Sequence, residues 1–153
     1  MARLVCSLAL FIAAITLLAG CDSAPDPEPE KEDLAPGTTQ FGTSDYIESI
    51  VGNLPIILSA PHGGDLKPET IPDRTTGVTV KDAYTQELTR AVYRALVEKT
   101  GRHPHVVICR LSRTKLDANR EIVEAAQGNA AAEMAWAEFH AFTDSAKTRV
   151  TAD

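Results

Sequence analysis

Leu54-Pro55-Ile56-Ile57-Leu58-Ser59-Ala60 runs without a break into Pro61-His62-Gly63-Gly64-Asp65. The first seven residues are a short continuous apolar run, which predicts a strand buried on both faces in the middle of a sheet. The five that follow predict a tight loop at the carboxyl end of that strand, with Gly63 and Gly64 permitting backbone that other residues resist.

Working outward, Tyr46–Val51 (YIESIV) alternates apolar and polar residues, as an edge or half-buried strand does, and Gly52-Asn53 marks a turn. Residues 61–79 are rich in Pro, Gly, Thr and Asp and predict a loop. Thr79 is placed to cap a helix over Val80–Glu98, with Asp82 three residues on. On that helix Tyr84, Leu88, Ala91, Val92, Ala95 and Leu96 share one face, the face expected to meet the core, and Gly101 ends it. His105–Leu111 (HVVICRL) predicts a second buried strand. Asp117–Ala126 predicts a short helix, and Ala130–Lys147 a longer one with Met134, Trp136, Phe139, Phe142 and Ala146 among its apolar positions. The order strand, strand, helix, strand, helix predicts an α/β domain with a central sheet flanked by helices.

Before this domain the character of the chain changes. Arg3 is followed by the apolar run Leu4–Leu18 and then by Ala19-Gly20-Cys21. A run of about 15 residues is short for a membrane-spanning helix, which needs about 20, and fits the apolar region of an export signal with small residues at its cleavage site. The LLAGC ending resembles a bacterial lipobox. Residues 1–21 therefore read as a lipoprotein signal peptide, with Cys21 carrying the lipid that anchors the chain to a membrane of the bacterial cell envelope. An ordinary signal peptide or an anchor helix is the plainer alternative. Residues 22–36 are acidic and Pro-rich, and residues 22–43 as a whole read as a disordered tether. That leaves 44–153 as the folded part.

The net charge of −6 points away from a general nucleic-acid binder. Beyond the signal and Cys21, Cys109 is the one remaining thiol, so no internal disulfide is expected. Its apolar setting predicts a buried, inert side chain.

Two polar clusters follow the strands, where open α/β sheets place their ligands. In the first, His62 and Asp65 form an H-x-x-D arrangement. An imidazole and a carboxylate at this spacing converge on one Zn²⁺ when the backbone turns tightly; the plainer account is an exposed loop histidine. The second is Arg113-Thr114-Lys115-Leu116-Asp117-Ala118-Asn119-Arg120. Arg120 offers a planar fork for a carboxylate, with the Asn119 amide beside it, and Asp117 is placed to orient either one. The plainer account makes Asp117 a helix cap and Arg120 a solvated side chain.

Taken together, SAPHGG, KLDANR and the strand–helix–strand spacing between them resemble the N-formylglutamate amidohydrolase family over about residues 46–147. The resemblance implies a fold related to that of the zinc carboxypeptidases and a central mixed sheet. It implies metal-dependent hydrolysis of an amide bond in a small N-acyl amino acid or similar carboxylated substrate. Carried over residue by residue, His62 and Asp65 are metal ligands, Asn119 and Arg120 grip the substrate carboxylate, and Arg113 and Asp117 flank that pocket. The family pattern goes on to a further histidine ligand and a glutamate general base. The expectation is thus the N-terminal part of such a domain, incomplete at its C-terminus and weak or inactive with two ligands. His140, within EFHAF, is expected to be a packed or surface histidine rather than a ligand, and His103 and His105 flank Pro104 at a strand entrance. An alternative of another class is a non-catalytic envelope lipoprotein that binds a small carboxylated ligand through Arg120.

Overall fold

A computed structural model describes residues 34–152. The expected signal peptide, Cys21 and most of the expected tether lie outside these residues.

The domain is α/β, as expected, with a four-stranded mixed sheet. Its strands are β1 (Thr39–Phe41), β2 (Ile47–Ile50), β3 (Ile57–Ala60) and β4 (His105–Cys109), and its α-helices are α1 (Thr85–Thr100), α2 (Ile122–Ala126) and α3 (Ala130–Ala152). The sheet order is β1-β2-β4-β3, with β3 parallel to β4 and the other pairings antiparallel. β3, α1 and β4 form a βαβ unit, so both parallel strands deliver their following loops to the same end of the sheet.

Three expectations change here. β1 begins inside the segment read as tether, and pairing with it makes β2 an interior strand with all four residues buried. β3 is at the edge of the sheet rather than its centre. Among the described residues it pairs with β4 alone, and Ser59 is exposed. β4, like β2, is interior and fully buried. A short apolar run records that a strand is apolar, while its place in the sheet depends on which strands pair with it.

The period of two in β4 divides the core. Val107 and Cys109 face α2 and α3 in a cluster with Ile47, Leu111, Leu116, Ala132, Ala135 and Phe139. Val106 and Ile108 face the other way and join Ile50 and Ala60, with Leu58 and Tyr93 packed against them. α3 buries Ala132, Ala135, Phe139 and Ala146 at helical spacing, while Met134 is half exposed.

α1 departs furthest from its expectation. It has no buried residue, and its apolar face does not meet the sheet. The side chains that hold it there are largely polar. Arg90 donates from both terminal nitrogens to the two carboxylate oxygens of buried Glu48, at 2.6 Å each, and Gln86 Nε2 donates to the Cys109 carbonyl at 2.7 Å. The helix also starts later than Thr79 suggests, at Thr85, directly after Tyr84 in left-handed backbone at φ +62°.

Candidate functional site

At the end of β3 the chain leaves the ladder over residues 61–65 and rejoins it at Leu66, which bridges to Leu111. The Leu66 N–H donates to the Arg110 carbonyl at 3.0 Å, and the Ser112 N–H to the Leu66 carbonyl at 2.8 Å. The loop is therefore pinned at both ends. Both of its glycines are required. Gly63 has φ +99°, and a Cβ there would stand 2.9 Å from Thr85 Cβ. At Gly64 a Cβ would stand 2.1 Å from the Arg110 carbonyl oxygen. The first glycine lets the loop approach the turn before α1, and the second lets it lie against the end of β4.

That approach brings His62 to Asp82. The His62 side chain is 13% exposed, and its Nδ1 lies 2.8 Å from Asp82 Oδ2. The contact is outside hydrogen-bond geometry, which leaves Nδ1 a buried nitrogen with no hydrogen bond. The other Asp82 oxygen accepts from Arg113 Nη1 at 3.1 Å. Arg113 Nε donates to Asp117 Oδ2 at 2.8 Å. Asp117 is fully buried, accepts the Asn119 backbone N–H at 3.2 Å, and lies 4.0 Å from Arg74 Nη1. Arg74 is buried too, donating to the carbonyls of Val78, Arg113 and Glu124. A charge line of alternating sign thus runs inward from His62: Asp82, Arg113, Asp117, Arg74.

The expected His62–Asp65 pair is not the pair the structure makes. Asp65 is 80% exposed, and both its oxygens lie 2.7 Å from Lys81 Nζ. Its loop is held by glycines packed on backbone, and the carboxylate turns to solvent and to a lysine. Arg113 and Asp117 form a buried ion pair, with Arg113 tying Asp117 to Asp82.

Asn119 and Arg120 do border a hollow of about 390 Å³, together with Ala118, Glu121, Glu124, Trp136 and His140. The backbone that presents them is fastened from α3. Trp136 Nε1 donates to the Arg120 carbonyl at 2.8 Å, and His140 Nε2 lies 3.2 Å from the Ala118 carbonyl. His140 also lies against Trp136, with ring centres 4.1 Å apart and the ring planes tilted by 47°. The Arg120 side chain is partly exposed, with Nε 3.4 Å from Glu124 Oε1. The hollow therefore carries two glutamates against one arginine.

The other histidines are occupied elsewhere. His103 Nδ1 lies 2.6 Å from Tyr93 Oη, and buried His105 accepts the Gly52 N–H at Nδ1. Cys109 is wholly buried, and burial pushes its thiol up to about 12, in keeping with an inert side chain. Among the described residues no group of three or more His, Cys, Asp or Glu side chains is arranged to hold a metal ion.

Sequence reading missed Asp82 and Arg74 as parts of this cluster. Asp82 looks like a capping residue because it follows Thr79 by three. Arg74 sits in a polar loop, where an arginine is usually solvated, and nothing local signals its burial. Comparison with family models, with curated proteins and with solved structures found no match to this chain.

Proposed function

We propose that the carboxyl end of β3 and β4 is a metal-dependent amide-hydrolysing centre of the N-formylglutamate amidohydrolase type, with His62 and Asp82 as its zinc donors. Its substrate class is a small N-acyl amino acid or a similar carboxylated amide. The observation that carries the reading is the buried Nδ1 of His62, held 2.8 Å from Asp82 Oδ2 without a hydrogen bond between them. An imidazole nitrogen and a carboxylate oxygen are donors that zinc takes, at about 2.0–2.2 Å. A further fit lies behind Asp82, where Arg113 holds the other oxygen and is itself held by Asp117. Such outer partners orient a ligand and tune it.

When bound, zinc supplies Lewis acidity toward an amide carbonyl and a water. The chain's own residues set the geometry: Gly63 and Gly64 admit the loop, and Arg113 fixes the Asp82 rotamer. Catalytic zinc normally draws three protein ligands, and here two donors meet. Zinc affinity is accordingly low and hydrolysis slow or absent. The reading also takes residues 1–21 as an export signal and Cys21 as the lipid-bearing residue, which places the domain at a membrane of the bacterial cell envelope.

The hollow beside Asn119 and Arg120 supports a second reading, a non-catalytic lipoprotein that binds a small carboxylated ligand. A carboxylate gains there only by taking Arg120 from Glu124, since Glu121 and Glu124 share the hollow. Zinc separates the two readings. In a competition titration of the full chain against a chromogenic chelator, His62→Ala and Asp82→Asn should each weaken zinc binding tenfold or more (about 1.4 kcal/mol), while Asp65→Asn leaves it unchanged. Loss in Asp65→Asn with retention in Asp82→Asn would return the site to the loop carboxylate. No loss in any variant would leave the ligand-binding reading.

A further inference from the structure

The polar face of α1 meets the sheet and its apolar face is turned away. Leu88, Ala91, Val92 and Ala95 are all exposed, with Tyr84 at the helix N-cap continuing the stripe. Leu88 is 64% exposed and Tyr84 77%. Gln86, Arg90 and Tyr93, which reach the sheet and β2, lie on the opposite side of the helix. A surface helix ordinarily turns such a stripe inward. From their exposures, the five residues present on the order of 400 Å² of mainly apolar surface, the size of the largest apolar patch on a typical monomer, which is often a functional one.

We infer that this stripe is the interface between two copies of the chain, packed α1 against α1 in antiparallel register about a two-fold axis beside Ala91. The charges flanking the stripe choose the occupant. Glu87, Arg94 and Glu98 are exposed along one flank, and among the described residues none of them makes a contact ion pair within its own chain, Glu87 acting only at longer range on Lys81 and Arg90. A two-fold axis beside Ala91 brings Glu87 of each copy opposite Arg94 of the other. One surface then supplies both halves of two reciprocal ion pairs, as a self-complementary interface must. Full burial of both stripes covers roughly 800 Å², and the charged flanks add to it toward the approximately 1,000 Å² that a specific interface needs.

Charge exchange tests the pairing. Sedimentation equilibrium of the full chain in mild detergent should show a monomer–dimer equilibrium. Glu87→Arg alone and Arg94→Glu alone each turn two attractions into two repulsions and should weaken the dimer by roughly tenfold. The double variant should restore it, because the pairs reform with reversed sign. Leu88→Asp should give a monomer that keeps the circular dichroism of the parent. A chain that stays monomeric at every concentration would overturn the inference and assign the stripe to a different molecule. A dimer indifferent to both single exchanges would overturn it as well, because its interface would then lie elsewhere, such as the apolar N-terminal run. So would a double variant no stronger than the singles.

Discussion

Replacing Asp117 by Asn separates the part of the charge line that holds the fold from the part that faces the site. Asp117 has a side-chain exposure of 1%, and the arginines on either side of it, Arg74 and Arg113, are 1% and 9% exposed. The substitution preserves size and leaves an amide oxygen for the Asn119 N–H, while removing the charge between two buried guanidinium groups. Arg113 retains Asp82, which is 46% exposed and poorly placed to compensate for a charge deeper in. Arg74 retains three carbonyl acceptors but no carboxylate. Breaking a buried pair by deleting one partner typically costs about 3–5 kcal/mol. The retained carbonyl bonds of Arg74 bring the expectation to the lower end, about 3 kcal/mol. Asp82→Asn removes a half-exposed charge, where ion pairs contribute about 1 kcal/mol or less. Urea unfolding, with linear extrapolation and matched slopes, measures both. An Asp117→Asn variant within about 1 kcal/mol of the parent would refute the view that Asp117 is the buried counter-charge. Equal losses in the two variants would refute the division between fold and site.

Three further outcomes are expected. Gly64→Ala should destabilise the domain by about 1–3 kcal/mol through overpacking, since its Cβ would meet the Arg110 carbonyl at 2.1 Å; an unchanged urea midpoint would show that the loop has room to yield. The Cys109 thiol should resist alkylation in the folded domain and react once unfolded. Because its folded value of about 12 lies above its ordinary 9.0, the protonated thiol adds stability below pH 9, and that contribution fades as pH rises toward 12. A flat stability profile across that window, relative to Cys109→Ala, would contradict this. Cys21→Ala should abolish incorporation of labelled fatty acid in a bacterial host, and equal label in mutant and parent would end the lipoprotein reading.

Much of the local structure was legible because it depends on near neighbours. The β4 strand, the long α3 helix and the stop at Gly101 follow from side-chain period and a backbone preference, and the structure has them close to where sequence placed them. The loop after β3 was legible for the same reason, since Gly63-Gly64 announces tight backbone whatever lies beside it. Tertiary structure decided the rest. Asp82 rather than Asp65 meets His62 because the loop folds onto the turn before α1, a contact across twenty residues that spacing within the motif does not encode. Asp117 and Arg113 are near neighbours in sequence, but Arg74, the second buried guanidinium beside Asp117, arrives from a distant loop. The run LPIILSA gave rise to an edge strand because a strand becomes central only when others pair on both sides. On α1 the sequence determined that there is an apolar stripe, since helical periodicity is a local property. Only the tertiary structure decided which way it faces, because the ion pair from Arg90 to Glu48 and the bond from Gln86 to the Cys109 carbonyl turn the polar side of the helix to the sheet.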